Sequence, residues 1–171
     1  SAQVPRVQVV PDGLAVHLDG YVQGKTTPGS RLLAAIDGMR QEGYISHGLS
    51  GSEPASRSGH AADRISELFT ARQMIGDAEQ YAVAGALMAR QLGFPARVVF
   101  GFAPSQTGDV TVSGADVSAW IEVDTAQYGW VAIDPVPQVR PIPQETPQDP
   151  NKVARPESIV PPPPDKADPN L

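Results

Sequence analysis

The sequence contains no cysteine among its 171 residues. This absence excludes disulfide bonds, thiolate metal sites, CxxC redox pairs and a cysteine nucleophile. The three histidines, His17, His47 and His60, are scattered along the chain and follow no metal-binding motif. We therefore predict no metal site and no cofactor.

Positive charge and long apolar runs are also scarce. The chain has 13 Lys and Arg against 19 Asp and Glu, which gives a net charge of −6 without any basic cluster. Because nucleic acid repels such a surface, we predict no nucleic-acid partner. No apolar stretch approaches the roughly 20 residues of a membrane span, and no signal peptide is present. Since the chain begins at Ser1 rather than at an initiator Met, we expect it to be part of a longer protein.

Proline is abundant, and it is concentrated at one end of the chain. Twelve of the 18 prolines lie in residues 135–171. We predict a globular domain over residues 1–143 and a disordered, extended proline-rich linker over 144–171, because the apolar content there is too low to offset the entropy of ordering. The four consecutive prolines at 161–164 favour a spacer, with an SH3-like ligand as the alternative.

The first part of the chain has strand-like patterns on both sides of a turn. Residues 4–10 are rich in valine, and residues 11–13 (Pro-Asp-Gly) are typical of a turn. In residues 14–18, apolar and polar side chains alternate, which indicates a half-buried strand. These segments together predict a β-hairpin.

Three helices are predicted next. Apolar residues recur at helical spacing over about 31–41, with Ser30 as N-cap, and over about 60–72. The third helix begins at Asp77, which forms an Asp-x-x-Gln capping box with Gln80, and it ends at Gly93. One face of this helix carries only small residues, so we expect a sheet to pack closely against it. These residues are Ala78, Ala82, Gly85, Ala86 and Ala89.

Strand-like segments follow the helices. They cover residues 96–102, 117–123 and 130–133, with glycines between them. Helices first and strands afterwards predict an α+β fold, in which helices pack on an antiparallel sheet.

Four short motifs within residues 76–135 carry a family resemblance. They are Gly-Asp-Ala-Glu-Gln-Tyr-Ala at 76–82, Leu-Gly-Phe-Pro-Ala-Arg-Val-Val at 92–99, Ser-Ala-Trp-Ile-Glu-Val at 118–123, and Gly-Trp-Val-Ala-Ile-Asp-Pro at 129–135. In order and spacing they resemble the transglutaminase-like core family, which has a papain-like fold. The Leu-Gly-Phe-Pro-Ala-Arg motif is weak alone, and the set together is specific.

The resemblance also implies where the family's chemistry would lie. The family uses a Cys at a helix N-terminus, a His on a neighbouring strand and an Asp on the next strand. These positions fall on Ala78, Ser118 and Asp134 in this sequence. Loss of a nucleophile or its base costs on the order of 10⁴–10⁶ in rate, so the resemblance implies a pseudoenzyme. An engineered Ala78 is the alternative, and the second replacement at Ser118 argues against it.

Residues 58–64 (Ser-Gly-His-Ala-Ala-Asp-Arg) also resemble a branch of actinobacterial membrane proteins. In that branch the transglutaminase-like domain lies outside the membrane. The resemblance therefore implies an extracytoplasmic location in the cell envelope, with the domain tethered to the membrane.

The resemblance implies a relict cleft where the active site of the family would lie. Three polar residues at the start of the third helix are candidates for its wall. Asp77 and Glu79 flank the position of the lost nucleophile, and Gln80 follows them. The two acids fit a general acid and base, or they fit the ordinary preference of helix N-termini for negative charge.

Two further cleft candidates lie in the third motif. Trp120 and Glu122 line the cleft if the family geometry is retained. The alternatives are structural: Trp120, like Trp130, as a core or cleft-wall aromatic, and Glu122 as a buried ion-pair partner of Arg97. For Asp134, we expect a hydrogen bond from the backbone or from Ser118.

The residues and the resemblance together favour a binding or scaffold module. Its partner would be a peptide, a protein or a peptidoglycan component held near the old cleft. One alternative is a hydrolase that uses Asp77, Glu79 and Asp134 as replaced acid/base residues. The other is a structural spacer domain of a membrane protein.

Overall fold

The computed structural model describes residues 9–48, 54–103 and 108–143. Helices and strands follow one another in the order α1 (Leu14–Tyr21), α2 (Pro28–Glu42), β1 (Tyr44–Ile45), α3 (Ala62–Thr70), β2 (Ile75–Gly76), α4 (Ala78–Gln91), β3 (Ala96–Phe102), β4 (Val117–Thr125) and β5 (Gly129–Ile133). The predicted α+β fold is confirmed. The linker predicted over 144–171 lies outside the described residues.

The hairpin prediction is wrong, because residues 14–21 form helix α1. Leu14 and Leu18, four residues apart, are buried against the core, whereas Val16 is 76% exposed. That spacing fits a helix period of 3.6 residues better than strand alternation. The turn before it is confirmed, with Gly13 at a φ of 81°. Most of the strand predicted at 4–10 lies outside the described residues.

Helix α2 begins three residues earlier than predicted. Thr27 is its N-cap, and Pro28 occupies the first helical position, where the missing N–H costs nothing. Ser30 lies in the N3 position, where its backbone N–H donates to Thr27 Oγ1 over 3.2 Å. The predicted cap residue is therefore part of a capping box rather than the cap itself.

Helix α4 has the two ends that the sequence predicts. Asp77 caps its start, and a Schellman motif closes its end: the N–H of Phe94 donates to Ala89 O and the N–H of Gly93 to Arg90 O, each over 3.0 Å. Gly93 has a φ of 90°, which a residue with a Cβ rarely adopts.

The sheet has the order β3-β4-β5, with both pairings antiparallel. Helix α4 lies between this sheet and the other three helices. Ala119, Ile121 and Val123 of β4 are buried on the face that meets α4. At Gly85, a Cβ would lie 3.1 Å from Pro135 and 3.6 Å from Ile121, so the small face of α4 lets the sheet approach its backbone, as predicted.

A separate parallel pair, β1 with β2, joins the end of α2 to the start of α4. Within the described residues, no helix is long and apolar enough to cross a membrane.

Candidate functional site

The start of α4 is held by its own capping box. Asp77 Oδ1 accepts a hydrogen bond from the N–H of Glu79 over 3.0 Å, and Gln80 Oε1 accepts one from the N–H of Asp77 over 2.9 Å. Gln80 is fully buried, and its Nε2 donates to Gly59 O over 2.6 Å. These two cleft candidates therefore stabilise the helix start and its contact with the preceding loop.

Ala78 is the first residue of α4 and is half-buried. It lies at the N-terminus of the helix, where the partial positive charge of the helix dipole would stabilise a cysteine thiolate. Ala78 instead presents a methyl group, which has no proton, no lone pair and no nucleophilic character.

A histidine lies beside this position. His60 Nδ1 is hydrogen-bonded to Glu79 Oε1, and both side chains contact solvent. His60 does not cap α3, because the N-cap is Ala61 and no side chain caps that helix start. Sequence reasoning missed the pair, since the two residues are 19 positions apart and belong to no shared motif.

The topology places Ser118 at the same end of the molecule as Ala78. Helix α4 is about 21 Å long at 1.5 Å per residue, and β3 is about 23 Å long at 3.3 Å per residue. Because only the four residues 92–95 connect them, β3 runs back along α4 and ends near the helix start. Ser118, half-buried, pairs with Gly101 near the end of β3.

Asp134 follows β5 directly. The last pair of the β4–β5 ladder is Ile121 with Ile133, so the same register puts Asp134 opposite Trp120 and two residues from Ser118. Asp134 is exposed, and its Oδ1 accepts a hydrogen bond from the N–H of Val136 over 2.9 Å. Asp134 is therefore a hydrogen-bond acceptor, as expected, and its donor is a backbone N–H.

Trp120 covers the face of the sheet that points away from α4. It is half-buried, and a Cβ at Gly101 would lie 3.2 Å from its Cη2. The indole therefore extends over Gly101 of β3, where a Cβ would press against it. Neither Trp120 nor the 43%-exposed Trp130 belongs to the core, so the core interpretation of these aromatics is wrong.

Glu122 forms the ion pair with Arg97 that the sequence suggested. Glu122 Oε2 lies 2.6 Å from one guanidinium nitrogen, and Arg97 Nε donates to it over 2.8 Å. The prediction that the pair is buried is wrong, since the side chains are 24% and 56% exposed. The same guanidinium lies 4.3 Å from the centre of the Trp130 ring, which adds a cation–π contact.

A cavity of about 350 Å³ opens elsewhere, between α1, the end of α3 and Arg140. His17, Glu42, Tyr44 and Arg72 are among its lining residues, and none of the predicted site residues lines it. Among the residues that the structure describes, no three His, Asp or Glu side chains converge in a way that could hold a metal ion.

The family model for the transglutaminase-like superfamily matches residues 17–135. The chain belongs to the transglutaminase-like superfamily. Its α+β fold and the four motifs are therefore those of the family, as the resemblance implied.

Two kinds of relatives give this family membership more detail. A curated Protein-glutamine gamma-glutamyltransferase from Pseudomonas aeruginosa is 36% identical over 88 residues, which is 47% of this chain and 12% of that protein. The crystal structure of the periplasmic domain of TgpA from Pseudomonas aeruginosa matches 77% of this chain with a TM-score of 0.56 and 24% identity. Its ethylmercury-bound form gives the same TM-score.

The chain therefore spans a small part of the curated relative and under half of the solved domain, 44% of that chain. At 24% identity, the likeness to the solved domain shows the fold. It does not carry over the relative's activity.

Proposed function

We propose that this chain is a transglutaminase-like module without the thiol chemistry of its family, which acts as a binding or scaffold domain. The observation that carries the proposal is Ala78 at the start of α4, in a chain with no cysteine anywhere. Without a thiolate, the covalent acyl step of a cysteine transferase has no nucleophile.

The surroundings of Ala78 support the same conclusion. Asp77 and Gln80 are engaged in capping the helix, and the carboxylate of Asp134 accepts a backbone N–H rather than orienting an imidazole. Ser118 stands where the family's histidine would be, and a hydroxyl is not a base near neutral pH. Each of these four side chains thus has a structural role or lacks a role in proton transfer.

The binding site would be the relict cleft, defined by Ala78, Ser118, Trp120 and Asp134. The ladder register supports this choice, because Ser118, Trp120 and Asp134 share the face of the sheet that points away from α4, where the half-buried indole of Trp120 would offer an apolar wall. Ala78 starts α4, at the end toward which β3 runs. The ligand of the cleft would be a peptide, a protein segment or a peptidoglycan component. By analogy with the periplasmic domain that it resembles, the module would lie on the extracytoplasmic side, tethered to the membrane.

A hydrolase with replaced residues is the second candidate function. The observation that favours it is the hydrogen bond between His60 and Glu79 beside Ala78, because a carboxylate on Nδ1 leaves Nε2 as the base of an imidazole. Asp77 and Asp134 do not support the acid/base roles suggested for them, since each accepts a backbone N–H.

Activity assays separate these functions. The wild-type chain and the double variant Ala78→Cys/Ser118→His are tested for ammonia release from a glutamine-containing peptide with a primary amine. We expect no turnover from the wild type and little or none from the double variant, because the cleft walls have changed as well. Turnover by the wild type contradicts the proposal, and hydrolysis that His60→Ala abolishes would establish the second candidate.

Binding assays test the scaffold role itself. Peptidoglycan fragments and glutamine-containing peptides are titrated against the wild type, Trp120→Ala and the matched control Trp130→Ala. We expect at least tenfold weaker binding for Trp120→Ala alone, since Trp130 lies over Arg97. Absence of any binding by the wild type would favour the structural spacer.

A further inference from the structure

The backbone of β3 has one edge that no described residue pairs. Ala103 N–H donates to Asp116 O over 2.7 Å, and Asp124 N–H donates to Pro95 O over 2.9 Å. The odd-numbered residues of β3 therefore direct their N–H and C=O groups toward β4. The even-numbered residues direct theirs away from β4, to the outer edge of the sheet.

Only the first residue on this edge has a partner in the described part of the chain. Arg90 Nε donates to Ala96 O over 2.9 Å. Farther along, the N–H and C=O groups of Val98, Phe100 and Phe102 point to the open side of the sheet.

The side chains on this edge are apolar and exposed. Phe100 is 73% exposed and Phe102 is 55% exposed, and Val98 and Val117 are exposed beside them on the same face. We call Val98, Phe100, Phe102 and Val117 the edge patch. It belongs to the face of the sheet that meets α4, but the helix does not cover this part of it.

An open edge of this kind is unusual in a soluble domain. Natural sheets protect their edges with charged side chains, prolines or bulges, because a free edge pairs with other chains. Between Val98 and Phe102 there is no charged residue and no proline. Within the described residues, the edge therefore lacks the features that keep a strand from pairing with another chain.

We infer that the edge of β3 binds an extended peptide, which adds as an antiparallel strand and places alternate apolar side chains on the edge patch. Main-chain hydrogen bonds would supply affinity, and the two phenylalanines would select the side chains. Antiparallel pairing is inferred because it is more stable per residue than parallel pairing. The inference does not rest on the proposed function, since the edge patch and the relict cleft share no residue.

The size of the edge patch favours a single strand over a second copy of the chain. An aromatic side chain carries about 150–250 Å², so the exposed parts of the patch amount to an area on the order of 350 Å². A stable protein–protein interface buries about 800 Å² per partner. One added strand needs no more apolar area than the patch offers.

Charge and composition indicate which kind of peptide is complementary to the edge patch. The chain has a net charge of −6, and Asp116 lies at the end of β3, opposite Ala103. A peptide with basic residues between its apolar ones is therefore complementary. The proline-rich segment 144–171 is a poor occupant, because proline cannot donate to a ladder.

The probe is a nine-residue peptide of alternating lysine and valine, titrated against the full chain by fluorescence anisotropy. In antiparallel addition, the residues that bond to β3 share its patch face, so these are the valines. N-methylation of the valine amides should weaken binding at least tenfold, whereas N-methylation of the lysine amides should leave it unchanged. The charge of all three peptides is the same.

Substitution tests the patch independently. Phe100→Gln should weaken binding at least tenfold, and the matched control Tyr128→Gln, an aromatic residue that is also 73% exposed, should not. Phe102→Gln gives a second measurement if Phe100→Gln lowers the Tm.

Four outcomes would overturn the inference. Equal binding by all three peptides would indicate adsorption by charge, and weakening only by lysine N-methylation would indicate parallel addition. A dimer that Phe100→Gln dissociates, with no peptide binding, would make a second copy the occupant. Peptide binding that appears only when residues 1–8 are removed would make that segment the occupant.

Discussion

The segment of α4 from Tyr81 to Gly85, its middle, and the first turn before it belong to the same helix but are under different constraints. In the middle, Tyr81 and Gly85 are enclosed by the core, and the Tyr81 hydroxyl lies within 2.9 Å of the carbonyl oxygens of Tyr44 and Met74. In the first turn, Ala78 and Glu79 are half-buried, and Glu79 meets a solvent-exposed histidine.

The difference separates what the fold needs from what the family's chemistry needs. The middle of α4 joins the β1–β2 pair, the sheet and the other helices, so its side chains are specified by packing. The residue at position 78 contributes little to packing, and its replacement leaves the capping box and the Schellman motif intact. A transglutaminase-like fold therefore does not require its nucleophile.

The largest expected effect is at Tyr81. Tyr81→Ala should lower the free energy of unfolding by about 4 kcal/mol, because it leaves a cavity and removes the hydroxyl from its backbone partners. Urea unfolding measures this loss, with Tyr128→Ala as the exposed control, for which we expect less than about 0.5 kcal/mol. If Tyr81→Ala does not fold, Tyr81→Phe should still cost about 1–3 kcal/mol. Equal losses at both tyrosines would contradict the comparison.

A smaller effect is expected at Gly85. Gly85→Val should cost about 1–3 kcal/mol, since even a Cβ would lie 3.1 Å from Pro135 and 3.3 Å from Ile36. Gly20→Val in α1 is the matched control, because no atom lies within 4 Å of a Cβ there. Thermal unfolding of the two variants provides the measurement, and an equal fall in Tm would show that helix propensity rather than packing dominates.

The third prediction concerns alkaline pH. Burial raises the pKa of Tyr81 above the ordinary value of 10.0, so above that value the folded chain holds a proton that the unfolded chain has lost. The stabilisation is complete below the ordinary value and falls as the pH rises through it, by at most about 1.4 kcal/mol per pH unit.

The matched experiment compares urea unfolding of the wild type and Tyr81→Phe across the alkaline range. We expect the variant to be less stable at neutral pH and to lose stability less steeply as the pH rises. Tyr21, whose pKa is also raised by burial and by Glu42, remains in both proteins. Parallel pH profiles would show that the Tyr81 phenol is not the group that responds.

The smallest effect is expected at Ala78. Ala78→Ser should change the free energy of unfolding by less than about 0.5 kcal/mol, because the site is half-buried and the small hydroxyl suits the first turn of a helix. Urea unfolding beside Ala82→Ser, at a fully buried position of the same helix, makes the comparison. A loss at Ala78 as large as that at Ala82 would mean that the first turn is also specified by packing.

Local signals made much of the fold predictable. The ends of α4 follow from Asp77, Gln80 and Gly93, whose roles depend on neighbours within a few residues. The segment predicted at 96–102 coincides with β3. The strand prediction for α1 is wrong because Leu14 and Leu18 fit both the strand and the helix period, while the exposed Val16 between them completes the strand pattern. Only burial against other helices decides between the two.

The sequence by itself determined that the chain has no thiol, which motifs it carries and where helix α4 begins and ends. These properties depend on composition and on contacts between near neighbours. Only the tertiary structure decided that His60 meets Glu79, that Trp120 lies across Gly101 and that no residue of the described ranges pairs with the outer edge of β3. Those properties depend on how distant segments pack and on ladder register, which sequence spacing does not specify.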